Sequence, residues 1–296
     1  MARQGQTDVA SSPTLSQAYA HCSGIARSHY ENFTVGSWFL PREFQPFLYV
    51  VYAFCRHTDD LGDEVDGDRL THLDAWEQEL DKCYTGTPEH PIMVALQDTI
   101  RRFNIPDAPF RKLIEANRID QRQRRFATYN DLLFYCQHSA EPVGRMVLYV
   151  LGYRDEERQR LSDTTCTALQ LANFWQDVQR DWVMGRVYIP QEDMVRFGYT
   201  EQDLAQGVVD DRFRDLMRFE VDRAEALFHQ GEGLVDTLTG AFKLDIALFS
   251  KGGLSVLDAI RRRNYDVLSS RPRVSKVRKL WLMLSTAARL LVLRRA

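Results

Sequence analysis

The sequence predicts an all-α protein, and two observations carry this prediction. Apolar residues recur at spacings of three and four between charged ones, as in Leu73, Trp76 and Leu80, which is the period of an amphipathic helix. The same pattern returns in residues 131–153, 163–183 and 211–228. Convincing alternating strands are absent, and turn signals lie where short connections between helices would fall: Thr87-Pro88, Ile105-Pro106, Gly152, Gly185 and Gly252-Gly253.

The domain organisation is predicted from length and composition. The chain has 296 residues, 44% of them hydrophobic, which is enough to bury the core of one large domain. Its polar start, rich in Ser and Gln, predicts a flexible tail over residues 1–14. No repeat or low-complexity linker divides the rest of the chain, so residues 15–274 are predicted to form one helical domain. Residues 275–296 are predicted to form a basic amphipathic C-terminal helix.

This C-terminal segment allows two interpretations. Its apolar residues fall at helical spacing between lysines and arginines: Val277, Leu280, Trp281, Leu284, Ala288 and Leu291. A helix of this kind either lies on an anionic membrane or packs on the bundle with a solvated basic face. The sequence leaves both interpretations open.

Charge is distributed unevenly along the chain. The formal net charge is −3, but residues 261–296 carry +10 and residues 1–260 carry −13. An acidic body argues against a nucleic-acid partner, whereas the basic end suits anionic lipid or phosphate.

The five cysteines are scattered and form no CxxC pair, which predicts reduced thiols. The first residues have no apolar centre of the kind found in signal peptides. No apolar run reaches the roughly 18 residues of a membrane span. We therefore expect a cytoplasmic protein, with peripheral contact to the inner face of the membrane as the open question.

The first acidic cluster comes directly after residues 47–54, an almost purely apolar run. Asp59 and Asp63 are four residues apart and therefore share one face of a helix. Such a pair alone is usually a solvated helix face. At the rim of a core, however, two carboxylates that repel each other indicate a bound cation.

The second cluster lies in an apolar stretch that contains Phe174 and Trp175. Asn173, Asp177 and Asp181 are spaced by four and form one stripe of oxygen ligands. Mg²⁺ prefers oxygen and usually takes one or two carboxylates together with substrate phosphates. Two such stripes predict a site that holds Mg²⁺ against a diphosphate. The predicted metal ligands are Asp59, Asp63, Asn173, Asp177 and Asp181.

The clusters and their flanks resemble the squalene and phytoene synthase family, from about Tyr19 to Lys279. The motifs appear in the family's order: Leu40-Pro41-Arg42-Glu43, Tyr52-Ala53-Phe54-Cys55-Arg56 before Asp59, Asp120 with Arg125-Phe126, Tyr135-Cys136, Val143-Gly144, the stripe ending at Asp181, and Gly185-Arg186-Val187-Tyr188-Ile189-Pro190. The resemblance implies an all-α isoprenoid-synthase bundle with a central cavity, Mg²⁺ as the cofactor and a prenyl diphosphate as the substrate.

The resemblance also implies roles for single residues. The catalytic residues would be Tyr52, Tyr135, Asp59, Asp63 and Asp177. Substrate would be bound by Phe33, Arg56, Val143, Gly144, Gln170, Asn173, Arg186 and Tyr188. Arg56 and Arg186 would neutralise phosphate oxygens with their forked donors. Each aromatic residue taken alone is more often ordinary core.

Departures from the family pattern point to one branch. Where the family often has His-Ser-x-Ser-Phe, this chain has His29-Tyr30-Glu31-Asn32-Phe33. Gln176 stands where Arg is common, and Gly253 where many members have Tyr. Together these features resemble the branch that converts presqualene diphosphate to hydroxysqualene in bacterial hopanoid synthesis. That branch implies functional coupling to a presqualene diphosphate synthase and to a flavin-dependent enzyme that forms squalene.

The expected chemistry is loss of diphosphate followed by capture of water. We hypothesise that the side chain missing at Gly253 leaves room for this water, near Tyr135 or Asn173. Two alternatives stay open: a sibling that condenses two prenyl diphosphates into presqualene diphosphate, squalene or phytoene, and a non-catalytic relative. The presence of all five stripe ligands argues against the non-catalytic relative.

Overall fold

The computed structural model describes residues 13–28, 41–240 and 242–293. Within these ranges the chain is helical, and its sole β-type pairing is an isolated bridge between Arg125 and Val187. The prediction of an all-α fold is therefore confirmed. The predicted tail at residues 1–14 lies almost entirely outside the described residues, and so do Phe33 and the segment around it.

The described residues form fourteen helices joined by short connections. They are α1 (Leu15–Ser28), α2 (Gln45–Asp63), α3 (Arg69–Thr85), α4 (Pro91–Phe103), α5 (Ala108–Arg122), α6 (Tyr129–Ser139), α7 (Glu141–Val150), α8 (Glu156–Val183), α9 (Gln191–Arg196), α10 (Glu201–Ala205), α11 (Asp211–Gly231), α12 (Gly233–Thr237), α13 (Phe242–Arg262) and α14 (Lys276–Leu293).

Side-chain caps begin several of these helices. Asp68 accepts hydrogen bonds from the backbone N–H groups of Leu70 and Thr71 at the start of α3. Thr128 and Asp131 form a reciprocal capping box at the start of α6. Caps of this type satisfy N–H groups that have no partner inside the helix, at about 1 kcal/mol each. They place the helix starts where the sequence has short polar residues.

Two large hydrophobic cores contain most of the buried apolar side chains of the described residues. The first core is built by α1 to α5 together with α7, and it includes Phe54 and Leu96, both fully buried. The second core surrounds α8, which packs against α6, α11 and α13, and it includes Trp175 and Phe213. Helix α7 contacts both α2 and α8. It therefore sets the separation between the two helices that carry the acidic clusters.

Gly144 lets α7 approach α8 closely. A Cβ atom at this position would lie 2.4 Å from the Ser162 hydroxyl and 2.5 Å from the Cys166 sulfur. Both distances are far below van der Waals contact, so a larger residue fits only if the Ser162 and Cys166 side chains or one of the helices shift.

Candidate active site

An apolar cavity of about 340 Å³ lies between α2, α7, α8 and α13. Its described lining is mostly aliphatic and aromatic, and the predicted site residues Tyr52, Val143 and Gly144 are part of it. The remaining polar side chains of the lining are Cys55, Ser162, Thr165, Cys166 and Asp245. A chamber of this composition suits a hydrocarbon chain.

The acidic clusters begin where the lining of the cavity ends. On α2, Asp59 follows the lining residue Cys55 by one helical turn. On α8, Asn173 follows the lining residue Leu169 by the same interval. Each turn advances a helix by about 5.4 Å. Each stripe therefore continues, along its own helix, from a residue that lines the apolar chamber, an order that suits a diphosphate with an attached hydrocarbon.

Asp59 keeps some exposed surface, yet protein surrounds most of its side chain. This desolvation raises its pKa to about 6, and the nearby Asp63 adds to the rise. Asn117 of α5 opposes the rise by donating a hydrogen bond to Asp59 at 3.3 Å. Asn117 can come this close because residue 62 is glycine, where a Cβ would lie 2.3 Å from the Asn117 amide oxygen.

Asp63 links the first stripe to the segment after the second stripe. Its carboxylate accepts a hydrogen bond from the Arg186 guanidinium at 2.5 Å. The other predicted phosphate ligand, Arg56, is paired with Asp60 and Glu64, at 2.6 and 2.7 Å. Both arginines thus stand beside the first stripe with carboxylates as their present partners.

Asp177 of the second stripe is paired with Arg271, whose guanidinium also donates to Gln176 at 3.0 Å. Gln176 in turn donates to the backbone carbonyl of Pro272 at 2.6 Å. These hydrogen bonds hold the segment after α13 against the second stripe. Sequence reasoning missed Arg271, because it lies outside any helix and 94 residues from Asp177.

Carboxylates concentrate where the two stripes meet. Burial raises the pKa of Asp181 to about 7, and repulsion from Asp177 contributes. Burial likewise raises the pKa of Asp120 to about 6, with a contribution from Asp63. Arg186 counteracts both rises. Acidic groups from α2, α5 and α8 therefore influence one another across the mouth, as groups that share a cationic ligand would.

Stacked aromatic rings form the wall beside this mouth. Phe174 and Tyr188 are parallel, with ring centroids 3.8 Å apart, and Tyr135 stacks on Tyr188 at 5.8 Å. The Tyr135 hydroxyl donates to Asp120 at 2.7 Å. Burial raises the pKa of both tyrosines, which keeps their hydroxyls protonated. Their rings present π-electron density next to the carboxylates.

Two further predicted site residues lie on α8. Asn173 is exposed and Gln170 is half-buried. Phe33 falls outside the described residues. Arg186 contacts Asp63, which lies beside Asp59, and Tyr52 lines the cavity. That these residues act together with Asn173 in one site stays a prediction.

The hypothesis about Gly253 is wrong. A Cβ at this position would lie 2.2 Å from the ring of Phe228 and 2.9 Å from Leu169. The ring of Phe228, on α11, fills the space that a larger residue 253 would need. The missing side chain therefore makes no room for water.

A scan against family models matches residues 26–278 to squalene/phytoene synthase. The chain belongs to the squalene/phytoene synthase family. Its members process prenyl diphosphates, so the chain is an enzyme of that class. Members of the family generally depend on Mg²⁺.

Relatives cover most of the chain. The chain is 48% identical to the crystal structure of squalene synthase HpnC from Alicyclobacillus acidocaldarius, over 85% of this chain and 96% of that one, with a TM-score of 0.83. It is 27% identical to a ligand-bound dehydrosqualene synthase, over 93% and 97% of the two chains, with a TM-score of 0.86. The 15-cis-phytoene synthase of Synechococcus elongatus is 35% identical over 90% of this chain and 91% of its own length.

The donor set of this squalene/phytoene synthase site fits Mg²⁺. Within the described residues, no three His, Cys, Asp or Glu side chains lie close enough to hold a metal by themselves. Mg²⁺ does not need such a cage, because it takes few carboxylates and completes its shell with waters and phosphate oxygens. Burial, and to a smaller extent neighbouring carboxylates, raises the pKa of Asp59 and of Asp181, and a bound cation would oppose both effects.

Proposed function

We propose that the enzyme converts presqualene diphosphate and water to hydroxysqualene and diphosphate, with Mg²⁺ as its cofactor. The observation that carries this proposal is the 48% identity to squalene synthase HpnC over most of both chains. The departures at Gln176 and in residues 30–32 favour the same branch.

The chain's own residues bind the diphosphate end. Asp59, Asp63, Asn173, Asp177 and Asp181 would hold Mg²⁺, which as a Lewis acid stabilises the charge on the leaving diphosphate. Arg186 and Arg271 now pair with Asp63 and Asp177. With cations on these carboxylates, both guanidinium groups would be free to bind phosphate oxygens in two-pronged fashion.

The cavity handles the hydrocarbon end. Loss of diphosphate leaves a cyclopropylcarbinyl cation, which rearranges and opens before it is captured. The apolar lining would exclude stray water. The stacked rings of Phe174, Tyr135 and Tyr188 are not part of this lining; they lie beside Asp181 and Arg186, where they would attract positive charge near the diphosphate end.

Tyr52 is the residue we assign to orient the attacking water. It lines the cavity two helical turns before Asp59. Burial raises its pKa, so the hydroxyl remains protonated and can hydrogen-bond a water oxygen. The proton that water loses on forming the C–O bond passes to the departing diphosphate.

Product analysis by mass spectrometry tests this function. Presqualene diphosphate, Mg²⁺ and ¹⁸O-labelled water are expected to give hydroxysqualene that carries the label, with or without NADPH. Squalene formed only with NADPH, or an unlabelled alcohol, would contradict the proposal. Tyr52→Phe is expected to reduce labelled alcohol while diphosphate release continues.

The second candidate function is condensation of two prenyl diphosphates, because phytoene synthases are among the relatives of the chain. Farnesyl or geranylgeranyl diphosphate supplied alone with Mg²⁺ distinguishes the two. Under our proposal neither compound is consumed, whereas a condensing enzyme turns over at least one of them.

The proposed reaction also implies neighbours in a reaction sequence. A presqualene diphosphate synthase must supply the substrate, and a flavin-dependent enzyme would reduce the alcohol to squalene. A cytoplasmic location agrees with the proposal. None of the described helices is long and apolar enough to cross a membrane.

A further inference from the structure

Only one side of helix α14 packs against α13. Leu282 and Thr286, one turn apart, are buried at 8% and 1% exposure. The Thr286 hydroxyl accepts a hydrogen bond from Lys251 of α13 at 2.8 Å, and Arg278 lies 3.7 Å from Asp258 of the same helix. These contacts fix the rotation of α14, and therefore fix which of its residues face outward.

The outward face is apolar. Val277, Leu280, Trp281 and Leu284 are 78%, 55%, 55% and 64% exposed. Their spacings of three, one and three place them in one stripe of the helix. Contiguous exposed apolar surface on a folded protein marks a binding surface. We call these four residues the α14 stripe.

The α14 stripe belongs to the basic end of the chain. Residues 261–296 carry a net charge of +10, whereas the rest of the chain carries −13. The Arg278 guanidinium lies over the Trp281 ring at 4.8 Å, so charge and apolar surface are adjacent. Exposed tryptophan beside basic residues is the composition of helices that lie in the headgroup region of anionic bilayers.

We propose that the α14 stripe docks onto the surface of an anionic lipid bilayer. Charge decides between this partner and a second copy of the chain, because two copies meeting through the stripe would bring two strongly basic segments together. An anionic bilayer offers both the negative surface that these residues attract and the apolar interior that the stripe needs.

Docking in this way would place the cavity close to the bilayer. Ile246 and Phe249 of α13 line the cavity, while Lys251 and Asp258 of the same helix contact α14. One helix, about 10 Å across, therefore separates the cavity from the docking helix. An apolar product leaving the cavity would have a short route to lipid.

Vesicle flotation of the full-length protein tests the proposal without using substrate. The wild type is expected to float with vesicles of phosphatidylcholine and phosphatidylglycerol, and much less with phosphatidylcholine alone. Leu280→Ser combined with Leu284→Ser is expected to reduce the bound fraction at least tenfold. Lys276→Gln combined with Lys279→Gln is expected to weaken binding roughly fivefold per charge removed, at low salt.

The matched control is Phe134→Ser with Val195→Ser, which removes two exposed apolar residues, 55% and 79% exposed, that lie outside α14. It is expected to float like the wild type. Equal flotation of the wild type and the α14 variant would overturn the proposal. So would a wild-type dimer in sedimentation that the α14 variant converts to monomer, since that outcome assigns the stripe to a second copy.

Discussion

At the scale of single residues, two of the aspartates at the site are paired with arginines of the described chain and two are not. Asp63 is paired with Arg186, and Asp177 with Arg271. Asp59 and Asp181 instead have raised pKa values, of about 6 and 7, because they are desolvated beside other carboxylates. The site therefore combines two Asp–Arg ion pairs with two carboxyl groups whose pKa is raised. A bound cation would compete with the arginines in the ion pairs and would lower the two raised pKa values.

Asp177→Asn tests the metal-binding role. The amide keeps the shape of the side chain but removes the charge that a cation needs, so we expect turnover to fall by roughly 10²–10³-fold. Excess Mg²⁺ should restore part of the loss. Release of diphosphate from substrate is the measurement. Glu157→Gln, an exposed change on the same helix, should leave turnover unaltered.

Gln176 is expected to position Arg271. It accepts from the guanidinium at 3.0 Å and donates to Pro272 at 2.6 Å, and it is 6% exposed. Gln176→Leu removes both contacts, so KM should rise about tenfold while kcat changes less, since a buried hydrogen bond is worth about 1–1.5 kcal/mol. Gln179→Leu on the same helix is the control. A fall in kcat with unchanged KM would refute this role.

The acidic stripes could be predicted from sequence because their geometry is local. A separation of four residues fixes Asp59 and Asp63 on one face whatever the rest of the fold does. The partnership of Asp177 with Arg271 has no such local rule, since the segment that carries Arg271 is not helical. The error at Gly253 has the same cause, because Phe228 of another helix fills the space.

At the scale of helices, the close approach of α7 and α8 defines one wall of the cavity. Gly144→Ala would place a methyl group 2.4 Å from Ser162 and 2.5 Å from Cys166. We expect the free energy of unfolding to fall by about 1–3 kcal/mol, the usual cost of overpacking. Urea denaturation measures it. Gly24→Ala in α1, where nothing lies within 4 Å, should stabilise instead.

The sequence also left the orientation of the last helix open. Periodicity placed Leu280, Trp281 and Leu284 on one side of α14, but it could not say whether that side faces the protein. The partners that decide this, Lys251 and Asp258, lie on α13. Contacts between helices, and not the pattern within one helix, turn the apolar side outward.

At the scale of the whole molecule, one buried charge cluster makes stability depend on pH. Glu220 of α11 is fully buried, and this burial raises its pKa to about 8, although Arg223 opposes the rise. Arg223 also contacts Asp193 at 2.7 Å, joining α11 to α9. The folded state therefore holds a proton on Glu220 that the unfolded chain, with an ordinary pKa near 4.5, releases.

The stability that this proton contributes is complete below pH 4.5 and is lost as pH rises towards 8. Glu220→Gln mimics the protonated form at every pH. Between pH 5 and 8 we expect the free energy of unfolding of the variant to rise relative to that of the wild type by at least about 1 kcal/mol. Above that range the difference between the two proteins should level off. Urea midpoints across this range measure it. A constant difference between the two proteins would refute the assignment.

The two ion pairs at the mouth also make metal and diphosphate thermodynamically interdependent. A cation that binds Asp63 or Asp177 in the absence of diphosphate would displace Arg186 or Arg271 and leave that guanidinium without its carboxylate partner. When diphosphate arrives as well, the displaced guanidinium gains a new anion. Each ligand should therefore strengthen the binding of the other by the same factor, roughly 5–150-fold. Calorimetric titration of Mg²⁺ with and without inorganic pyrophosphate measures the coupling between the two ligands. The Arg271→Ala variant should show a smaller coupling than the wild type.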